Sequence, residues 1–136
     1  MKSRGLRNNN PLNIRCDADV FSGEIKGKDK AFKTFSSMAY GYRAAFVTLA
    51  TYLSRDWNTI EKIISHWAPA SENDTEKYIA CVEKRSGISR NKMLTAFDGA
   101  DFIQIVAAMS AVENGRNADI SEVTAGFGLQ TKITMQ

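Results

Sequence analysis

The feature that most constrains this 136-residue chain is an apolar helical segment that ends on a carboxylate. Residues at helical spacing from Phe102 onward form one apolar face. That face consists of Phe102, Ile105, Val106, Met109 and Val112. At 100° per residue, Glu113 lies only about 20° from Phe102 around the helix, so its carboxyl group belongs to the buried face. The following Asn114-Gly115 predicts the end of the helix.

This position favours the protonated form of Glu113. Desolvation disfavours the carboxylate anion, and the negative end of the helix dipole repels it. A carboxylic acid that stays protonated near neutral pH can donate its proton to a departing glycosidic oxygen. The pattern therefore predicts a general acid; the alternative is a helix end at the surface with Glu113 in water.

Composition indicates one soluble domain over residues 1–136, because 43% hydrophobic and 24% charged residues are ordinary values for a globular protein. No apolar stretch reaches the roughly 18 residues of a membrane span. The start, MKSRGLRNNN, has no apolar core, which predicts no signal peptide and synthesis in the cytoplasm. Cys16 and Cys81 lack metal spacing, and His66 is the single histidine, so no metal or cofactor is predicted.

The fold class predicted from the pattern is mostly α, with a small β-hairpin near the N-terminus. Val20–Ile25 and Ala31–Phe35 flank the turn KGKDK, in which Gly27 can take positive φ. A helix is predicted through GYRAAFVTLATYL, from Gly41 to Leu53.

Capping residues and breakers place the helices that follow. Asn58 and Glu61 are spaced as a capping box for a helix that Pro69 stops. Asn73 and Glu76 begin a third helix, which breaks near Gly87. A short helix is predicted around Asn91–Phe97, then the helix Phe102–Glu113, then one or two helical turns in the tail.

Several segments resemble the lysozyme-like superfamily. AAMSAVENG (107–115) is similar to the catalytic-helix motif of lytic transglycosylases and goose-type lysozymes, with Asn114 where Ser is usual. RNNNPLNIR (7–15) and the following FSGE resemble flagellar-type glucosaminidases, with Phe21 where Trp is usual. ENDTEKYIACV (72–82) resembles a lytic transglycosylase segment whose tyrosine lines the cleft beside the acid. The acid-bearing helix comes first in those families and last here, which implies a circularly permuted order.

The same residues, over nearly the whole chain, also resemble a group of small phage virion structural proteins. The pattern is RGLRNNNPLNIR, then WAPASENDTEKY, then ENG, with Leu12 where Gly is usual. This resemblance implies a phage virion location and partners among virion or cell-wall machinery.

The resemblances imply cleavage of peptidoglycan between N-acetylmuramic acid and N-acetylglucosamine. Glu113 would be the general acid and Tyr78 a positioning or polarising residue. Asn10 and Asn13 would hold sugars, although asparagine runs more often build turns. Whether the reaction is hydrolysis or transglycosylation stays open, because a transglycosylase needs no second carboxylate whereas glycosidases commonly do.

Three further residues have a structural alternative to a role at the site. Glu72 is a candidate second carboxylate, but Glu is also favoured at a helix N-terminus. Glu24, on the hairpin, could contact substrate or be solvated. Trp67 could stack on a sugar or pack in the core.

Two other functions compete with the enzyme. One is a non-catalytic phage structural or wall-binding protein, because a fold does not guarantee chemistry. The other, nucleic-acid binding, is disfavoured because the basic residues are not interleaved with aromatic residues. Those residues are Arg4, Arg7, Arg15, Lys26, Lys28, Lys30 and Lys33.

Overall fold

The helix that carries Glu113 is the centre of the molecule. A computed structural model describes residues 1–135, in which six helices accompany a two-stranded antiparallel sheet. In chain order these are α1 (Arg4–Arg7), β1 (Glu24–Ile25), β2 (Thr34–Phe35), α2 (Met38–Ser54), α3 (Ile60–Trp67), α4 (Thr75–Ser86), α5 (Gly99–Asn114) and α6 (Ile120–Gly128). The mostly helical fold with a small hairpin is confirmed.

Helix α5 is buried on more than the one face that its apolar spacing indicates. Phe102, Ile105, Val106 and Met109 are fully buried, and the small residues Ala108 and Ala111 are nearly so. A helix that is covered nearly all round belongs to the core. It packs against α4 on one side and against α2 and α6 on another, while α2 and α6 pack along each other.

The hairpin is shorter than the sequence predicts. Glu24 pairs with Phe35 and Ile25 with Thr34, so only two residues of each predicted strand join the ladder. The prediction of positive φ at Gly27 is wrong, since Gly23 takes that conformation (φ 78°). Gly27 is needed for space, because a Cβ there would lie 1.9 Å from Thr34 Oγ1.

Helix boundaries follow the prediction closely, but the caps shift by one residue. Thr59, not Asn58, caps α3, and its Oγ1 accepts a hydrogen bond from Lys62 N at 3.1 Å. Asp74, not Asn73, caps α4 in the same way through Lys77 N at 3.1 Å. Pro69 stops α3 at Trp67, and Gly87 ends α4 in the left-handed conformation, as predicted.

The helix predicted around Asn91–Phe97 is absent from the described residues 1–135. Asp98 Oδ2 accepts hydrogen bonds from Thr95 N (2.7 Å) and Thr95 Oγ1 (3.2 Å), which compete with helical backbone bonds. Leu94 is still buried, and its N–H donates to Asn58 O at 2.8 Å. Conversely, the short helix α1, capped by Ser3, was not predicted. No helix in the described part of the chain is long and apolar enough to span a membrane.

Candidate functional site

Glu113 lies in the last turn of α5, half-buried, one residue before the helix ends. Gly115 adopts φ 68° and its N–H donates to Ala111 O at 2.9 Å, which closes the helix. This left-handed terminus is the one that Asn114-Gly115 predicts. The carboxylate therefore sits where the core meets the N-terminal segment, rather than pointing freely into water.

Tyr78 contacts one oxygen of this carboxylate. Its hydroxyl donates to Glu113 Oε2 at 2.9 Å from the neighbouring helix α4, and Met109 O lies 3.5 Å away. Tyr78 is only 7% exposed. Burial, and then the neighbouring charge of Glu113, raises the pKa of the Tyr78 phenol well above its usual value. Tyr78 is thus a neutral hydrogen-bond donor at physiological pH.

Asn13 contacts the other oxygen. Its Nδ2 donates to Glu113 Oε1 at 2.9 Å across a sequence separation of 100 residues. Asn13 has φ 54°, in the left-handed region that asparagine tolerates better than most residues. Its Oδ1 is buried without a hydrogen-bond partner. The turn that holds Asn13 in this conformation therefore places its side-chain amide within hydrogen-bond distance of Glu113.

The three side chains can serve both protonation states of Glu113. When the carboxylate is ionised, Tyr78 and Asn13 each donate to one oxygen. When Oε2 is protonated, it can donate to the Tyr78 oxygen while the phenol hydrogen turns to Met109 O, 3.5 Å away.

Asn10 lies near this group but is committed elsewhere. It is 0% exposed; its Nδ2 donates to Ile14 O and Lys33 O, and its Oδ1 accepts from Ile14 N, each at 2.9 Å. The predicted sugar contact is therefore not supported, because no part of the side chain reaches the surface. Asn10 builds the turn that carries Asn13, which is the alternative use of an asparagine run.

Glu24 is bound to a buried lysine. Lys33, 1% exposed, donates through Nζ to Glu24 Oε1 (3.0 Å), Asp17 Oδ1 (3.0 Å) and Asp19 O (2.7 Å). Burial alone would lower the pKa of Lys33, but hydrogen bonds to Asp17 and Glu24 raise it. Glu24 thus closes the hairpin, and the structure does not bring it into contact with Glu113.

Neither Glu72 nor Trp67 is among the residues that donate hydrogen bonds to the Glu113 carboxylate within residues 1–135. Glu72 is exposed two residues before the α4 cap, and its side chain makes no hydrogen bond or ion pair within residues 1–135. Trp67 is half-buried against the core, with its ring centroid 6.0 Å from that of Tyr52. Both placements match the structural alternatives weighed from the sequence.

A groove of about 590 Å³ is lined in part by Ile14, the residue that follows Asn13 in the chain. Arg43, Thr48 and Thr51 of α2 and its C-cap, Arg55, contribute to its lining. The loop at 17–22 also lines it. The segment from residue 43 to residue 55 spans about 18 Å at 1.5 Å per residue, a length suited to an extended polymer. Glu113 does not line this groove.

Within residues 1–135, no three or more His, Cys, Asp and Glu side chains are grouped so that they could hold a metal ion. Both cysteines are free, Cys16 exposed and Cys81 half-buried.

Comparison with known proteins adds one relationship. No protein-family model matches the chain. Over 131 residues, which are 92% of this chain and 80% of the relative, it is 40% identical to Protein P5 of Pseudoalteromonas phage PM2. The chain belongs to the Protein P5 family. The predicted kinship with phage proteins is thereby confirmed, whereas the lysozyme-like domain and its permuted order remain predictions.

Several residues that hold the N-terminal segment against Glu113 and its helix were not predicted from the sequence. Ser3 and Gly5 place α1 against the end of α5, and Asn114, noted only as a departure from Ser, contacts both α1 and the Asn13 turn. A serine ahead of RGLR was an available capping signal. The partners of Asn114 lie about 100 residues away in the chain, and no local pattern indicates them.

Proposed function

We propose that this phage-family protein cleaves the glycan strand of peptidoglycan with Glu113 as its single general acid, in a lysozyme-like domain of permuted order. One observation supports this most. Three residues from separate resembling segments, Asn13, Tyr78 and Glu113, form one hydrogen-bonded group with both distances at 2.9 Å. Such a group is what the proposed site requires, since each segment then contributes one of its residues.

In this proposal Glu113 acts twice. Its protonated Oε2 gives the proton to the glycosidic oxygen as the bond from that oxygen to the muramic acid C1 breaks. The C6 hydroxyl of the same sugar then bonds to C1 and returns its proton to the Glu113 carboxylate, which leaves a 1,6-anhydro end. Donation from Tyr78 and Asn13 stabilises the carboxylate between the two steps.

A single-acid reaction also fits the surroundings of Glu24 and Glu72, the two other glutamates considered for the site. Hydrolases of sugars commonly use two carboxyl groups within about 10 Å of each other across the scissile bond. Glu24 is engaged by Lys33, and Glu72 is exposed in the segment that precedes the α4 cap. Transglycosylation is therefore the form of the reaction that we propose.

A second candidate is a virion component that binds the wall without cutting it. Kinship with a phage protein supports this candidate, as does the engagement of Glu113 within the protein, because both of its carboxylate oxygens accept hydrogen bonds from side chains of the same chain. It places the same group of residues in a purely structural role at the junction of α5 and the N-terminal segment.

Incubation with purified, insoluble peptidoglycan separates the two candidates. Under the proposed function, mass spectrometry of the supernatant finds muropeptides with anhydro-muramic ends. Reducing ends would instead indicate a hydrolase with a second carboxylate. Protein that sediments with peptidoglycan of several chemotypes but releases no fragments would contradict cleavage and support the wall-binding virion component.

A further inference from the structure

Asn114, directly after the acid, joins three parts of the chain. Its Nδ2 donates to Pro11 O at 2.8 Å and to Ser110 O at 2.9 Å, and its Oδ1 accepts from Ser3 Oγ at 2.6 Å. One amide thus connects α5 to the N-terminal turn and to the cap of α1. A serine, with a single hydroxyl donor on a shorter side chain, could not make both donations.

The Pro11 carbonyl is part of the turn that carries Asn13. Asn13 N donates to Asn10 O at 3.0 Å, and the buried Asn10 side chain closes the turn from the other side. The bond to Pro11 O fixes this turn against the end of α5. Because Asn13 itself occupies the left-handed region, a turn that moved freely would not hold it in this conformation.

Helix α1 covers the same junction. Gly5 is buried, and a Cβ there would lie 2.8 Å from Asn13 Oδ1 and 2.9 Å from Asn114 Oδ1. The amide of Asn114 and the amide of Asn13 therefore pack against the same backbone position. Asn114, which orients the turn, and Asn13, which reaches Glu113, thus both lie against Gly5.

We propose that Asn114 is a positioning residue, which holds the Pro11–Asn13 turn so that the Asn13 amide stays on Glu113. This inference rests on the proposed function for its kinetic consequence, but its structural part stands alone. This role gives a reason for asparagine at position 114, where the resembling lytic transglycosylase motif usually has serine. The N-terminal segment docks on the end of α5, and Asn114, the residue after Glu113, binds that segment.

The test compares two substitutions that add the same charge. Asn114→Asp keeps the acceptor for Ser3 but loses the N–H donors to Pro11 and Ser110. Asn117→Asp adds a carboxylate three residues further on, where Asn117 is exposed and accepts from Arg85 at 3.0 Å. Asn114→Ser, which adds no charge, is the second variant if Asn114→Asp does not fold.

Two readouts are expected to change together. In ¹⁵N-edited NMR spectra, the Asn13 side-chain amide should move toward free-amide shifts and exchange faster in both Asn114 variants, and stay unchanged in Asn117→Asp. Peptidoglycan turnover should lose at least about tenfold in kcat with KM within about twofold, as expected when positioning rather than binding is lost.

The NMR result separates this inference from the proposed function. If the wild type releases no fragments, the proposed function fails, and the Asn13 amide alone decides the positioning role. An Asn13 amide that is unmoved in folded Asn114→Asp and Asn114→Ser would overturn the inference. A wild-type kcat in those variants would overturn its kinetic part.

Discussion

At the scale of single residues, the Tyr78 hydroxyl is the contact with Glu113 that can be removed with the least change of shape. Phenylalanine fills the same volume, so Tyr78→Phe deletes the donor at 2.9 Å and leaves the packing intact. Hydrogen bonds to charged groups are worth about 1.5–3 kcal/mol, so fragment release should slow roughly 10- to 100-fold. The measurement is the rate of peptidoglycan solubilisation.

Tyr40→Phe is the matched control for that substitution, because the Tyr40 ring packs against Gly23 on the hairpin side. It should release fragments at the wild-type rate. Equal rates in wild type and Tyr78→Phe would mean that Tyr78 acts only as a core residue.

Gly5 is the second residue on which the site depends. A Cβ at Gly5 would lie within 3 Å of Asn10 O, Asn13 Oδ1 and Asn114 Oδ1, two of them on side chains of the proposed site. Gly5→Ala should therefore lower the free energy of unfolding by about 1–3 kcal/mol, the usual cost of overpacking, and reduce activity as well.

Chemical denaturation checks this prediction, with Gly128→Ala as the control. Gly128 is exposed and nothing lies within 4 Å of the position that a Cβ would take there, so alanine should not destabilise. A Gly5→Ala variant as stable as Gly128→Ala would show that α1 can move away without cost.

Residues that belong to a recognisable motif could be named from the sequence, whereas residues defined only by their contacts could not. Glu113 and Tyr78 could be named because each belongs to a resembling segment, and they do meet. Asn10 could not be told from Asn13 by residue type. Only the fold shows that Asn10 bonds backbone atoms at 14 and 33 while Asn13 reaches the acid.

At the scale of elements, one aspartate fastens α1 to the hairpin. Asp29 accepts from Arg4 Nε at 2.6 Å, from Asn8 Nδ2 at 3.0 Å and from the N–H groups of Ala31 and Phe32. The hydrogen bond from Arg4, then that from Asn8, holds the pKa of Asp29 far below its usual range. Arg4, one of the basic residues considered for nucleic-acid binding, is thus paired with a carboxylate of the same chain.

A lowered pKa gives Asp29 a defined pH dependence. The bound carboxylate stabilises the fold above the unfolded-state pKa of about 3.9, and this contribution is lost as pH falls toward the folded-state pKa. Asp29→Asn should therefore melt at a lower temperature than wild type at pH near 7. The difference should shrink as the pH is lowered below about 4.

Thermal melts across this pH range make the measurement. Asp56→Asn is the control, since Asp56 is exposed and its left-handed φ of 60° suits asparagine equally. A constant difference in melting temperature between wild type and Asp29→Asn at all pH values would contradict the charge-based account of this contact.

Helices were predictable from their apolar spacing, caps and breakers, whereas connections stabilised by side chains were not. Thr95 and Asp98 replaced an expected helix with a turn, and α1 forms from only four residues that dock on α5. Such short elements owe their stability to tertiary contacts, which a single-sequence pattern does not contain.

At the scale of the whole molecule, the N-terminal segment and helix α5 meet at one junction. The N-terminal turn supplies Asn13 and helix α5, 100 residues later, supplies Glu113, with α1 packed on their junction. This arrangement is what the proposed permutation requires, because segments in a different chain order must still meet. The fold class could be predicted from the sequence; this long-range docking could not, since it depends on contacts such as that of Asn114 with Pro11.

We propose that Glu113, rather than any other carboxylate, is the general acid of a glycan-cleaving site. Fragment release from purified peptidoglycan is measured for wild type, Glu113→Gln and Glu72→Gln, each first shown to be folded by circular dichroism. Glu113→Gln should release no fragments, while Glu72→Gln should match the wild type. Undiminished release by Glu113→Gln would contradict the role of Glu113 as the acid.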